Sequence, residues 1–176
     1  MSTVFTADKD TTALAHSVRD EYHPHLKNID AMVLFSMARI DDRTGETAGP
    51  ALRAYGAPTP GIAKICNPQE RAITKKEILL KIDAAEWDAM TPDQRVALLD
   101  HLWSHIELVR DSQGRPRYGT DGRIRLTKRQ HDWRIGGFNS VLERHGEAAI
   151  DVLNIKEAFG EDSQLKTALR QLHLFA

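Results

Sequence analysis

The sequence predicts an α+β domain, and three observations carry that prediction. Apolar residues recur at helical spacing from about Thr11 to Ile29, short apolar or alternating runs follow at residues 31–40, 61–66 and 77–82, and a strongly capped helix begins after Thr91. In the first segment Leu14, Val18, Tyr22, Leu26 and Ile29 mark one face, with a kink or restart expected at Pro24. AMVLFSMARI (31–40) reads as a strand, and the glycine- and proline-rich 41–60 as a loop. GIAKIC (61–66) and EILLKI (77–82) read as two further strands, and DAAEWDAM (83–90) as a helical turn.

The clearest local signal is TPDQRVALLDHLWSHIELV, residues 91–109. Thr91 can cap the helix, Pro92 takes the first position where its missing N–H costs nothing, and Gln94 can reach back to close a capping box. Val96, Leu99, Leu102, Trp103 and Ile106 then supply an apolar face, so a largely buried helix is expected through Val109. A loop or hairpin arm follows with Gly114, Gly119 and Gly122, then a strand at 123–128 and two helices at about 131–145 and 147–159. The polar stretch after that is not expected to join the core.

Composition narrows the function. With 24 basic against 25 acidic residues the net charge is -1, which removes any bulk electrostatic argument for binding nucleic acid or an anionic membrane. The single cysteine, Cys66, cannot form an internal disulfide, no apolar run approaches a membrane span, and the start MSTVFTADKD lacks the features of a secretory signal. A cytoplasmic protein without a membrane segment is expected. No G-x-x-x-x-G-K-[ST] motif is present, which excludes a P-loop nucleotide hydrolase.

His101 and His105 stand four apart on the capped helix, so both imidazoles rise from one face within reach of one metal ion. In an H-E-x-x-H metalloprotease helix the intervening Glu activates metal-bound water. Here the segment is H-L-W-S-H, and Leu102 at that position cannot accept a proton. Two lone histidines at this spacing are also compatible with ordinary exposed or core side chains. Asp100, Glu107 and Glu86 are carboxylates that could in principle replace the missing base, but helical geometry turns Asp100 and Glu107 away from the pair. His23 and His25 flank Pro24 and read as a surface turn, while His16, His145 and His173 belong to no constellation.

The wider chain supplies context. WDAMTPDQRVALLDH, the Gly-rich arm ending in RIRLTKRQHDW, and GGFNSVLERHG together resemble the phage metallopeptidases, a zincin-like family of phages and prophages. The resemblance covers about Ala31 to Ala149, including Gly61 to Lys64 and EILLKIDAAEW. It implies a zincin-like fold: a small mixed sheet, an N-terminal helix, a metal-site helix and C-terminal helices. It also implies zinc held by the matching His101, His105 and His131, with Asp132 as an acceptor that fixes a ring from behind. The family's glutamate does not match, since Leu102 stands in its place. No catalytic residue is therefore assigned, and the chain reads as a metallopeptidase-like protein with impaired chemistry. The alternatives are an active peptidase using another base and a metal-free, DNA-associated phage accessory protein.

The end of the chain carries a separate signal. Gln171, Leu172, Leu174 and Phe175 spell Q-L-x-L-F, which resembles the motif that docks polymerases and repair proteins on the bacterial β sliding clamp. Four fixed positions recur by chance on the order of once in 10⁵ starting points. The sequence thus divides into a metallopeptidase-like domain, 1–160, and a tail, 161–176, whose alternative is an amphipathic helix burying Leu169, Leu172 and Phe175. Arg115, Arg117, Arg123, Arg125, Lys128, Arg129 and Arg134 concentrate on and after the arm, a local positive surface for which DNA contact is one reading and a solvated face the other.

Overall fold

The computed structural model describes residues 3–40, 43–45, 47, 49–131, 138–150 and 152–153. The chain opens with a strand that sequence patterning does not reveal, β1 (Thr3–Thr6), four exposed residues at a sheet edge. Helix α1 (Lys9–Tyr22) is capped by Asp8, whose carboxylate accepts from the Thr11 N–H at 2.7 Å. Pro24 does restart the helix, as a 3₁₀ turn at Pro24–Leu26. Strand β2 (Ala31–Met37) runs antiparallel to β1, with Thr3 opposite Met37.

Within the 41–60 loop the chain makes a two-residue hairpin, β3 (Arg53–Ala54) and β4 (Ala57–Pro58). Strand β5 (Gly61–Ile65) follows, then α2 (Pro68–Thr74), a helix absent from the sequence reading although Asn67 and Glu70 form a complete capping box around Pro68. Strand β6 (Ile78–Asp83) lies between β2, parallel, and β5, antiparallel, giving the order β1-β2-β6-β5. The mixed sheet and the surrounding helices make the fold α+β, consistent with the zincin-like class.

Alternation decides which sheet face is covered. Ala31, Val33 and Phe35 of β2 are buried and stand level with fully buried Ile78, Leu80 and Ile82 of β6, whereas Met32 and Leu34 on the opposite face are half-buried. Helix α3 (Ala84–Ala89), capped by Asp83, brings Trp87 against Phe35 with ring centroids 6.0 Å apart. Helix α4 (Pro92–Ser104) has the expected start, with Thr91 and Gln94 closing the capping box. Its Leu98, Leu99, Leu102 and Trp103 complete the core shared with α1, and the Trp103 indole N–H donates to the Ala15 carbonyl at 2.9 Å.

Two boundaries differ from the sequence reading. Helix α4 stops at Ser104 rather than continuing to Val109, because Ile106–Leu108 leaves as strand β7 and pairs with β8 (Leu126–Lys128), Ile106 opposite Lys128. Ile106 and Leu108 alternate around Glu107, a period-2 pattern whose first residue also fits the apolar face of the helix. Between β7 and β8 the arm turns twice, at Gly114 (φ 78°) and Gly122 (φ 72°), left-handed positions that suit glycine. Of the helix expected from His131, His131 itself is not helical, residues 132–137 lie outside the described residues, and Asn139–His145 forms α5 with Phe138 extended ahead of it. A 3₁₀ turn, Gly146–Ala148, precedes the helix expected from 147, and the described residues Ile150, Val152 and Leu153 are helical; the later part of that helix and the tail lie outside the described residues.

Candidate metal centre

His101 lies in the last turn of α4, His105 is its C-cap, and His131 follows β8 by three residues. The hairpin brings the third histidine to the first two: the Arg129 N–H donates to the His105 carbonyl at 2.7 Å, so the chain leaving β8 passes beside the end of α4. One ring nitrogen from each of His101, His105 and His131 lies within 4.8 Å of those of the others. The ring centroids stand 4.7 to 5.2 Å apart.

His105 is prepared to act as a ligand. A ring nitrogen must carry hydrogen to bond a carbonyl, so the 3.1 Å contact from Nδ1 to the Arg129 carbonyl makes Nδ1 the donor and leaves a lone pair on Nε2. Burial, followed by the proximity of His101, His131 and Lys128, pushes the His105 imidazole down to about 4 despite the opposing Arg129 carbonyl. It is therefore neutral at physiological pH, the form that binds metals. The His105 and His131 Nε2 atoms are 3.2 Å apart. Two nitrogens bound tetrahedrally at the usual zinc–imidazole length lie about 3.3 Å apart, so three imidazoles and the spacing of this pair fit zinc.

Phe138, absent from the sequence reading, forms one wall. It is fully buried, and its ring centroid lies 5.2, 4.9 and 5.0 Å from those of His101, His105 and His131. The Arg129 guanidinium covers it at 5.3 Å. No local spacing could have assigned this role, because Phe138 reaches the site from a segment 33 residues beyond His105 in the chain numbering. His131 is exposed, so the cluster reaches solvent at that residue.

Among the described residues no carboxylate joins the three imidazoles. Leu102 is 1% exposed and packs beneath β5, so closely that a Cβ added to Gly61 would stand 3.0 Å from its Cδ1. Glu107, on β7 and not on the helix, lies 3.7 Å from Arg129. Glu86 lines a hollow with Gln94 near the other end of α4, about 10 Å of helix rise before His101. Asp132 lies outside the described residues.

Asp100 turns away from the histidines, as expected, but into a constellation that was not. Its carboxylate is fully buried and accepts from His23 Nε2 at 2.8 Å, His145 Nε2 at 2.8 Å, Arg144 Nε at 2.8 Å and Arg144 Nη2 at 2.7 Å. His23 is therefore buried instead of lying on a surface turn, and His145 does belong to a constellation. Burial alone would push the Asp100 carboxyl up. The bonds from His145, His23 and Arg144 outweigh it and hold the group well below the usual carboxylate range. The cluster ties the end of α1 and the end of α5 to the residue next to His101. Since Phe138 leads into α5, the cluster also seats that wall of the site.

The arm's positive charge is partly engaged internally. Arg115 pairs with Asp111 at 3.0 Å, Arg123 with Glu77 at 2.7 Å, and Arg129 with Glu107. Arg117, Arg125 and Lys128 are exposed without a carboxylate partner among the described residues, and Arg134 lies outside them. Gln171, Leu172, Leu174 and Phe175 are also outside. No helix among the described residues is long and apolar enough to cross a membrane.

Compared with known families, the chain matches the family model described as "Putative phage metallopeptidase" over residues 3–160. No curated protein and no solved structure matches it.

Proposed function

The chain belongs to the phage metallopeptidase family, and from that membership we propose a zinc-binding, peptidase-like protein that lacks the general base and acts by binding, docked on the bacterial β sliding clamp. The observation that carries the zinc reading is the convergence of His101, His105 and His131 from two separate segments. When bound, zinc supplies Lewis acidity and a water of lowered pKa. The Arg129 carbonyl fixes the His105 tautomer, Phe138 excludes water from one side, and the His131 side admits a ligand. Among the described residues no carboxylate joins the imidazoles to take a proton, and Leu102 is apolar and packed under β5.

Elemental analysis of the chain purified without a histidine tag is expected to find close to one zinc per molecule. A His101→Ala, His105→Ala double variant is expected to lose it; retention of as much zinc as the parent rejects the site, and a metal-free parent promotes the DNA-associated accessory reading. Peptide cleavage by the parent is expected to stay at background with and without chelator. Robust cleavage that chelator abolishes would instead establish an active peptidase with another base.

The docking half rests on the Q-L-x-L-F sequence, with Leu174 and Phe175 as anchors and Gln171 and Leu172 at the other end. Short motifs must order on binding, so the isolated peptide is expected to bind the clamp only at about micromolar Kd. A Leu174→Ala, Phe175→Ala variant is expected to lose clamp binding while the melting temperature stays put. Absence of clamp binding by the parent rejects this half, and a large drop in melting temperature supports a packed helix instead. In this arrangement Arg117 and Lys128 are the arm cations left to face DNA beside the clamp.

A further inference from the structure

A second site lies away from the three histidines, in a hollow of about 640 Å³ between α2, the ends of β5 and β6, and the arm. Arg71, Arg123 and Arg125 line it together with Glu77, Asp121 and Tyr118. Ile65 and Leu126 add apolar surface. The volume suits a short peptide segment, being far larger than a single small anion requires.

Its guanidinium groups are under-used. Arg71 touches Glu77 at 3.5 Å and Asp121 at 3.6 Å, both through Nη1, and the second distance is too long for a hydrogen bond. Arg71 Nε is shut off from solvent with no partner. Arg123 reaches Glu77 through Nη1 at 2.7 Å, while Arg125 is exposed without a carboxylate partner among the described residues. A guanidinium has five donors in a planar fork that matches a carboxylate. Asp121, half exposed at the turn of the arm, stands near Arg71 as a loosely held occupant.

Charge selects the ligand. Three guanidinium charges against the carboxylates of Glu77 and Asp121 leave one positive charge unmatched, which suits a monoanion. A phosphate dianion would meet stronger repulsion from the two resident carboxylates. Leu126 begins β8, and Lys128, two residues or about 7 Å further on, pairs with the residue after His105. The hollow therefore borders the same hairpin that carries the chain to the third histidine.

We propose that this hollow binds the carboxylate side chain of a peptide, which displaces Asp121 from Arg71, and so selects acidic segments for the adjacent centre. Taking the ligand to be a peptide rests on the peptidase-like reading; the carboxylate preference does not depend on metal and is measured without it.

Acetyl-Ala-Leu-Glu-Leu-Ala-amide, its Gln counterpart and inorganic phosphate are titrated separately into the chelator-treated full chain, by calorimetry and by the Tyr118 ring resonances. The Glu peptide is expected to bind saturably and at least tenfold more tightly than the Gln peptide. Arg71→Gln is expected to abolish that difference, and Asp121→Asn to strengthen Glu-peptide binding several-fold. The carboxylate of Asp121 accepts the Arg123 N–H at 3.2 Å, and the amide oxygen introduced by Asp121→Asn can accept the same bond, so this gain does not depend on a damaged turn. Equal binding of both peptides, binding of neither, tighter binding of phosphate, or an Asp121→Asn variant no better than the parent overturns the proposal. Zinc content measured on the untreated chain reports on the metal reading independently, so either can fail alone.

Discussion

Replacing Asp100 with alanine is expected to lower the domain's stability by about 3 to 5 kcal/mol, because it leaves the Arg144 charge without its buried partner. The penalty falls at the lower end of that range if Arg144, 29% exposed, turns partly to water. Asp100→Asn keeps the shape and is expected to cost less, while removing the charge. The pH profile gives a second check. The folded Asp100 carboxyl is held below its ordinary value near 3.9, so its contribution is fully present above about pH 4 and is lost as pH falls through the folded value. Denaturant melts from pH 6 to pH 3 are expected to bring the parent and Asp100→Asn closer together in acid. A gap that stays constant across this range, or an Asp100→Ala variant as stable as the parent at pH 7, would contradict the role assigned to the cluster.

Leu102→Glu, which turns H-L-W-S-H into the H-E-x-x-H pattern of zinc metalloproteases, is expected to cost about 4 kcal/mol at pH 7 without restoring cleavage. The new side chain enters a space closed by Gly61 and β5, and a glutamate forced to stay neutral there must be protonated against an ordinary pKa of about 4.3. The sign of the pH effect is opposite to that of Asp100: a raised folded pKa makes the penalty shrink as pH falls from 7 toward 4. Urea midpoints at pH 7 and pH 5 check this directly. A variant as stable as the parent at pH 7 would mean that position 102 reaches water or the metal side, and zinc-dependent cleavage by it would turn the proposal toward an enzyme one residue from activity.

The features legible in the sequence are those encoded within a few residues. Thr91, Pro92 and Gln94 announce the start of α4 because a capping box spans one turn, and His101 and His105 share a face because four residues make about one turn. The α2 box at Asn67 and Glu70 is just as local and is masked by the strand-like segments on either side. The end of α4 is ambiguous in the sequence because Ile106 satisfies a helical face and a strand alternation equally well. Asp100 is legible only as a negative, a carboxylate pointing the wrong way. Its partners His23, Arg144 and His145 lie 77, 44 and 45 residues away, and no spacing rule relates residues so separated. His131 enters by family resemblance, and Phe138 has no sequence signal at all.

Those separations also set an order in time. Synthesis at roughly 5 to 20 residues per second takes about 2 to 9 s to add the 44 residues between Asp100 and Arg144. During that interval His23 is the only member of the cluster already made besides Asp100 itself. His131 precedes Arg144, so a nascent chain carries all three imidazoles before the arginine that neutralises Asp100 exists. The candidate ligands are thus all made before the helix that closes the Asp100 cluster, and Phe138 and α5 are the last parts of the site to be added.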